Sequence, residues 1–154
     1  MSAKSRYAQV YFRIADIELI EHFEHDPKKL KLTKRDVESA EVKVGLDIEL
    51  DTENNYVTLK PIVGFCCNKK GKDLDIFGAK VLYKFEIKNF DLYFDSSEKS
   101  RTLFFSQFLE QLLGITLAGM RGMFVLLNKQ PYYKKAILPL IDPKPFLAKF
   151  TNHK

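Results

Sequence analysis

A group of histidines and carboxylates near the start of the chain has residue types that bind metal ions. His22 and His25 are separated by two residues, and Glu21, Glu24 and Asp26 lie beside them. Zinc sites use three or four such ligands. No second cluster elsewhere in the sequence completes a set, so we interpret these residues as a solvated charged segment. We predict no metal site and no cofactor.

The sequence has two cysteines, which are neighbours and lie in no recognisable nucleophile motif. Cys66 and Cys67 lie in an apolar stretch, where cysteine usually behaves as a small buried hydrophobe, and one adjacent pair makes no disulfide framework. No serine or lysine lies in a recognisable nucleophile motif, and no glycine-rich loop is suited to cradle a phosphate. The acid pair Asp47 and Glu49 falls on the solvent-exposed face of a predicted strand. We therefore predict that the protein is not an enzyme.

Alternation of apolar and polar residues predicts the elements that would position a binding site. Its clearest instance is residues 42–50, where Val, Leu and Ile occupy every second position. Three further segments have the same period of two, which is typical of half-buried strands: residues 8–23, 56–67 and 77–90. Together they predict an α+β fold with a four-stranded antiparallel sheet, one face of which is buried.

Some positions depart from this regular pattern. In the first strand the apolar residues fall on even positions up to Ile14 and on odd positions at Ile17, Leu19 and Phe23, which predicts a β-bulge near Ala15 and Asp16. Pro61 predicts either an edge position or an irregularity in the third strand. Residues 25–35 are polar and basic and predict a surface loop, and residues 68–75 predict a charged turn.

Residues 103–127 are too apolar for an ordinary surface helix. One stripe at helical spacing comprises Leu109, Leu113, Leu117, Met120, Phe124 and Leu127. A second stripe comprises Phe108, Leu112, Ile115 and Leu126 with Gly119 and Gly122. One sheet covers only one side of a helix, so the other side requires a second layer, another copy of the chain or a ligand. Small residues at Gly114, Ala118 and Gly122 predict a close approach of another backbone.

Membrane insertion of this helix is not predicted. Its most apolar run, residues 112–127, is shorter than the roughly 20 residues of a spanning helix, and Arg121 lies within it. The first ten residues lack the apolar core of a signal peptide. We therefore expect a cytoplasmic protein, and 154 residues with 45% apolar content predict one domain over residues 1–154.

The net charge of +5 raises the possibility of a nucleic-acid partner. The basic residues are scattered as pairs among 20 acidic residues, and no helix-turn-helix, zinc-finger, RNP or KH pattern occurs. Solvated faces explain such charges more simply. A basic nucleic-acid-binding module is kept as an alternative function.

The end of the chain is rich in proline and apolar residues. Prolines keep residues 129–141 extended, and Asp142 followed by Pro143 predicts the start of a short helix. The apolar side chains of this tail either complete the core or form the wall of a hydrophobic groove. The pattern alone favours the first alternative.

The C-terminal third resembles the SecB family of tetrameric export chaperones. The resemblance lies in the helix end Gly119-Met120-Arg121-Gly122-Met123, in Leu138-Pro139-Leu140-Ile141-Asp142-Pro143 and in Phe146-Leu147. The four predicted strands match the sheet of the family in number and order. The resemblance implies a SecB-like fold, with helices on one face of the sheet and assembly as a dimer or a dimer of dimers.

What the resemblance implies about function is a holdase that needs no nucleotide. In that family the linker and last helix line grooves for unfolded or partly folded client protein. Carried to this sequence, the substrate-binding residues are Tyr132, Tyr133, Ile137, Leu138, Leu140, Phe146 and Phe150. The expected oligomer interface comprises Leu113, Leu117, Ala118, Gly119 and Gly122.

Charge is where the sequence departs from the family. SecB proteins dock the SecA motor on an acidic sheet face, but here the corresponding strand has Lys80, Lys84 and Lys88, and only Asp16, Glu18 and Glu21 on the first strand resemble that acidic patch. SecA is therefore a partner in only one of two versions of the hypothesis. One version is a divergent chaperone of protein export, and the other is a SecB-like chaperone dedicated to a specific client, such as an antitoxin of a toxin–antitoxin operon.

Overall fold

The computed structural model of the protein describes residues 11–88, 90, 99–128 and 139–151, with the side chains of all but 99–105, 150 and 151. Its elements in order are β1 (Phe12–Glu24), α1 (Lys34–Glu38), β2 (Glu41–Asp51), β3 (Tyr56–Lys69), β4 (Lys72–Ile87), α2 (Lys99–Leu127) and α3 (Pro143–Thr151). The strands form one antiparallel sheet in the order β1-β4-β3-β2. The predicted α+β fold with a four-stranded antiparallel sheet is confirmed.

The core lies between one face of the sheet and α2. The register places Phe65 opposite Phe77 on this face, and the ring of Phe124 from α2 packs edge-on against both, with centroid distances of 5.8 and 5.0 Å. The fully buried residues of α2 are Leu112, Leu113, Thr116, Met120 and Phe124. Burial of this stripe is the main favourable term for docking α2, at about 25 cal/mol per Å² of apolar surface.

β1 contains two register shifts against β4. The first, between Ile14 and Asp16, confirms the predicted bulge. The second, between Leu19 and Glu21, was not predicted. Each bulge adds one residue to the strand and so changes which side chains share a face. Phe23 therefore lies on the face opposite α2, and its predicted phase was wrong.

β3 and β4 are joined by a tight two-residue turn. Both central residues are left-handed, Lys70 with φ 52° and Gly71 with φ 77°, as in a type I′ turn, whose twist matches that of the flanking strands. Because this turn suffices to reverse the chain, β4 begins at Lys72. The predicted turn over residues 68–75 was too long, since the acidic residues within it belong to paired strands.

Pro61 lies in β3, an interior strand and not an edge. Lys60 and Pro61 have no paired residue on β4, and the pairing resumes in the same register at Ile62. Proline has no N–H to donate, so the pairing is locally interrupted. An irregularity, the second of the two predicted alternatives, is what the structure contains.

The connection between β1 and β2 crosses from one edge of the sheet to the other. It contains α1, which starts at a capping box formed by Thr33 and Asp36. Pro27 is buried, and Leu30 and Leu32 pack against the core. The predicted surface loop is therefore corrected: its charged side chains are exposed, but its apolar residues contribute to the core.

The length and composition of α2 satisfy the criteria for a membrane span. Within the described part of the chain, Ser106–Leu127 is the one segment that does so, and 39% of its apolar window is buried inside the fold. A core helix passes the same test when its buried side chains pack on a sheet. Thr116 fits such a core because its hydroxyl donates a 2.8 Å hydrogen bond to the carbonyl oxygen of Leu112.

Candidate binding surfaces

Apolar side chains of β1 remain open to solvent on the face where α2 packs. Ile14, Ile17 and Leu19, here called the β1 row, are 45, 48 and 43% exposed. Their partners on β4 are Phe85, Tyr83 and Val81, all buried under the helix. The sequence predicted a buried face for β1, but β1 is the edge strand and α2 lies over its neighbours. The β1 row therefore extends the core outward as an apolar surface.

The side of α2 that faces away from the sheet is also apolar. Its exposed residues in the middle of the helix are Ile115, Ala118 and Gly122, preceded by the exposed Gln111, and Gly119 lies on the flank next to the sheet. We call Ile115, Ala118, Gly119 and Gly122 the α2 outer face. Gly119 lies over Tyr83, and a Cβ there would come within 2.5 Å of the tyrosine hydroxyl. Because Tyr83 is the β4 partner of Ile17, this part of the α2 outer face lies beside the β1 row.

Two of the five predicted interface residues have another role. Leu113 and Leu117 are buried in the chain's own core, 0 and 5% exposed. They are therefore not accessible to a second copy of the folded chain. Ala118, Gly119 and Gly122 are exposed, but Tyr83 lies against Gly119. Of the five predicted residues, Ala118 and Gly122 are therefore the ones placed to meet another backbone.

The predicted substrate-binding residues are only partly described. Tyr132, Tyr133, Ile137 and Leu138 lie outside the described residues, as does the side chain of Phe150. Leu140 is 84% exposed, whereas Phe146 is half-buried and packs against the core. The expected start of α3 is confirmed, because Asp142 Oδ1 accepts a 3.1 Å hydrogen bond from the backbone N–H of Lys144.

The opposite face of the sheet carries charges of both signs. On β4, Lys84 lies opposite Asp16 and Lys80 lies opposite Glu21. Lys80 is also 3.5 Å from a carboxylate oxygen of Asp47 on β2, and the Lys84 ammonium lies 4.1 Å from the ring centroid of Tyr56. The central lysines are thus engaged by neighbours, and the acidic row of β1 lies at the sheet edge.

The two thiols are held in their protonated form. Cys66 Sγ donates to Asp75 Oδ1 at 2.8 Å, and Cys67 Sγ donates to the carbonyl oxygen of Asp36 at 3.0 Å. Burial, reinforced by the carboxylate of Asp75, raises the pKa of Cys66 to about 11. Burial likewise raises the pKa of Cys67. Neither thiol is therefore an activated nucleophile at neutral pH.

The histidines near the end of β1 contribute to aromatic packing. The His22 ring meets Phe77 edge-on with a centroid distance of 5.7 Å, and His25 lies 5.8 Å from the ring of Phe23. Among the residues that the structure describes, no group of three histidine, cysteine or carboxylate side chains is placed to hold a metal ion.

The protonated thiol of Cys66 predicts a specific dependence on pH. Alkylation of the native protein by iodoacetamide should be slow at pH 8 and should accelerate only as the pH approaches about 11. Because the native state retains this proton after the unfolded chain has lost it, the thiol should also destabilise the fold from about pH 9 upward. Asp75→Asn should increase alkylation at pH 8, measured by mass spectrometry. Equal rates in both proteins would contradict the role of Asp75.

Comparisons with known proteins do not identify a family for this chain. No protein-family model matches the chain, and no curated protein matches it. Among solved structures, the chain is similar to one described as the crystal structure of a protein of unknown function from Streptococcus agalactiae. The sequence identity is 8%, the similarity covers 87% of this chain and 99% of that chain, and the TM-score is 0.24. A likeness at this TM-score carries no argument about function.

Proposed function

We propose that the protein is a molecular chaperone, a holdase that captures unfolded or partly folded polypeptide by binding and not by catalysis. The observation that carries this proposal is the β1 row, three large aliphatic side chains that stay about half exposed on an edge strand. Edge strands with exposed apolar residues attract extended chains.

Among the described residues, β1 has no strand paired along its outer edge, and an unfolded client can supply one. Its backbone has free N–H and C=O groups, which can pair with the outer edge of β1 as an added strand. Its apolar side chains leave water when they contact the β1 row, which contributes about 25 cal/mol per Å² of buried surface. The acids on the other face of β1 favour client segments with basic residues at alternate positions. Leu140, one of the predicted groove residues, provides a further exposed apolar side chain.

Self-association is part of the proposal. The α2 outer face is apolar and contains Gly122, where an added Cβ would meet nothing within 4 Å among the described residues outside its own stretch of helix, so it offers space for the backbone of a second copy. We expect a dimer or a dimer of dimers, in the cytoplasm. The client is either an exported protein, with SecA as a further partner, or one dedicated protein such as an antitoxin.

The direct test is suppression of aggregation. A chemically denatured, aggregation-prone protein is diluted into buffer with and without this chain, and light scattering is followed at low and high salt. Suppression that persists at high salt is expected, because apolar contacts do not weaken with salt. Loss of suppression with rising salt would instead support phosphate binding by a basic nucleic-acid-binding module, and absence of suppression at every ratio would contradict a general holdase.

The β1 row gives this test a matched pair of variants. Ile17→Ser is expected to reduce aggregation suppression several-fold, since it removes an apolar contact of about 2 kcal/mol from the proposed client surface. Ile62→Ser is the control, because Ile62 has a similar exposure of 40% but lies on the opposite face. Leu140→Ser should also weaken capture. Equal effects of Ile17→Ser and Ile62→Ser would place the client surface elsewhere.

A further inference from the structure

Basic residues that are distant in the sequence meet at one end of the sheet. They come from the β1–β2 connection and from the turn between β3 and β4. We call this set the basic end, and its members are Lys28, Lys29, Lys31, Lys34, Arg35, Lys69, Lys70 and Lys72. The sequence alone indicated scattered pairs, but the fold combines them into one surface.

Contacts between the two segments establish this arrangement. The ammonium group of Lys69 donates to the carbonyl oxygen of Lys31, and the thiol of Cys67 donates to the carbonyl oxygen of Asp36 in α1. All members of the basic end are exposed except Lys69, which is partly buried. The segments are therefore fixed side by side with their charges directed to solvent.

Nearby carboxylates are mostly engaged by other groups. Asp26 accepts a 2.9 Å hydrogen bond from the backbone of Lys28, and Asp36 accepts one of 2.7 Å from the backbone of Thr33. Asp73 is bound at 2.8 Å by Lys43, which lies outside the basic end. Within the described residues, the one ion pair that a member makes joins Lys34 to Glu38 at 3.9 Å. The carboxylates of Asp26, Asp36 and Glu38 keep their negative charge, but the eight cations of the basic end outnumber them, so the surface keeps a net positive charge.

The last turn of α2 adds apolar side chains at the same end of the molecule. Phe124 contacts Phe65, which lies just before the β3–β4 turn, and Phe77, which lies just after it. The residues that follow Phe124 in the helix, Val125 and Leu126, are 63 and 78% exposed. The exposed aliphatic groups therefore lie toward the end of the sheet that carries the β3–β4 turn and its lysines.

We propose that the basic end docks the protein peripherally on an anionic lipid bilayer. Lysine ammonium groups are attracted to the negative surface, while Val125 and Leu126 enter the boundary between headgroups and acyl chains. A nucleic acid explains the surface less well. A polynucleotide offers phosphate groups to the lysines, as the bilayer does, but it offers no hydrocarbon phase to the exposed aliphatic side chains of Val125 and Leu126. The proposal is independent of chaperone activity.

Sedimentation of the whole chain with vesicles tests the proposal. Binding is expected to vesicles of equal phosphatidylglycerol and phosphatidylcholine, to weaken with added salt, and to be absent with pure phosphatidylcholine. The triple variant Lys28→Glu, Lys29→Glu, Lys70→Glu should bind at least roughly a hundredfold more weakly, at roughly fivefold per lysine removed. Circular dichroism and thermal unfolding establish that the variant is folded.

A control triple variant makes the same change of charge at other exposed positions: Lys88→Glu, Lys144→Glu, Lys149→Glu. It should bind nearly as well as the unaltered protein. Leu126→Ser should weaken binding, whereas Leu140→Ser, also at a highly exposed leucine, should not. Equal losses in the two triple variants, or equal binding to neutral vesicles, would overturn the proposal. So would binding of polyuridylic acid without binding of vesicles, which would assign the surface to nucleic acid.

Discussion

Gly122→Leu should convert the assembled protein into a monomer. Among the described residues outside its own stretch of helix, no atom lies within 4 Å of a Cβ built at this position, so leucine fits the isolated chain but fills the space proposed for the backbone of a second copy. The substitution also replaces glycine with a better helix former, which favours α2 by about 1 kcal/mol. Sedimentation velocity should therefore report a loss of oligomer together with an unchanged or higher melting temperature.

Gly122→Ala separates these two effects. It provides most of the gain in helix propensity but adds only one methyl group, so association should be retained. An unchanged mass for Gly122→Leu at micromolar concentration would contradict the proposed contact. A monomeric unaltered protein would contradict the oligomer itself.

Gly78→Ala should lower the free energy of unfolding by about 1–3 kcal/mol, the usual cost of overpacking. A Cβ at this position would lie 2.5 Å from the Phe23 ring and 2.7 Å from the carbonyl oxygen of Val63. The ring can turn aside, but the backbone oxygen is fixed by the sheet. Urea unfolding followed by circular dichroism measures the loss.

Gly64 provides the control, because the same ring covers it at a greater distance. A Cβ there would lie 3.8 Å from Phe23, an ordinary contact, so Gly64→Ala should change stability little. Adding Phe23→Leu to Gly78→Ala should recover only the part of the loss that comes from the ring. Equal stabilities of Gly64→Ala and Gly78→Ala would disprove the close contact at Gly78.

Local patterns in the sequence predicted most of the sheet. A period of two identifies each strand, the first change of phase identifies the bulge after Ile14, and the apolar stripes of α2 correctly indicate a helix with one side in the core. These features depend on neighbouring residues, which is why the sequence contains them. The capping residue of α3 is predictable for the same reason.

Features that depend on the arrangement of distant segments were not predictable. The alternation in β1 is that of a half-buried strand, but its exposure follows from its place at the sheet edge, beyond the cover of α2. The basic end likewise exists only because the crossing connection meets the β3–β4 turn. The second bulge could not be recognised from the sequence. Ile20 and Phe23 are both apolar, so the alternation of apolar residues is consistent with either face of the strand being buried.

The order of the strands sets when β1 can pair during synthesis. β2, β3 and β4 form successive hairpins with short turns, whereas Arg13 and Glu86, which pair across β1 and β4, are 73 residues apart. Contacts at such separation close last, because the entropy of a long loop must be overcome first. During synthesis, β1 therefore leaves the ribosome well before its partner β4, and its apolar side chains remain uncovered until β4 has been made. During its synthesis the chain therefore exposes an apolar segment of the kind that it is proposed to bind in client proteins.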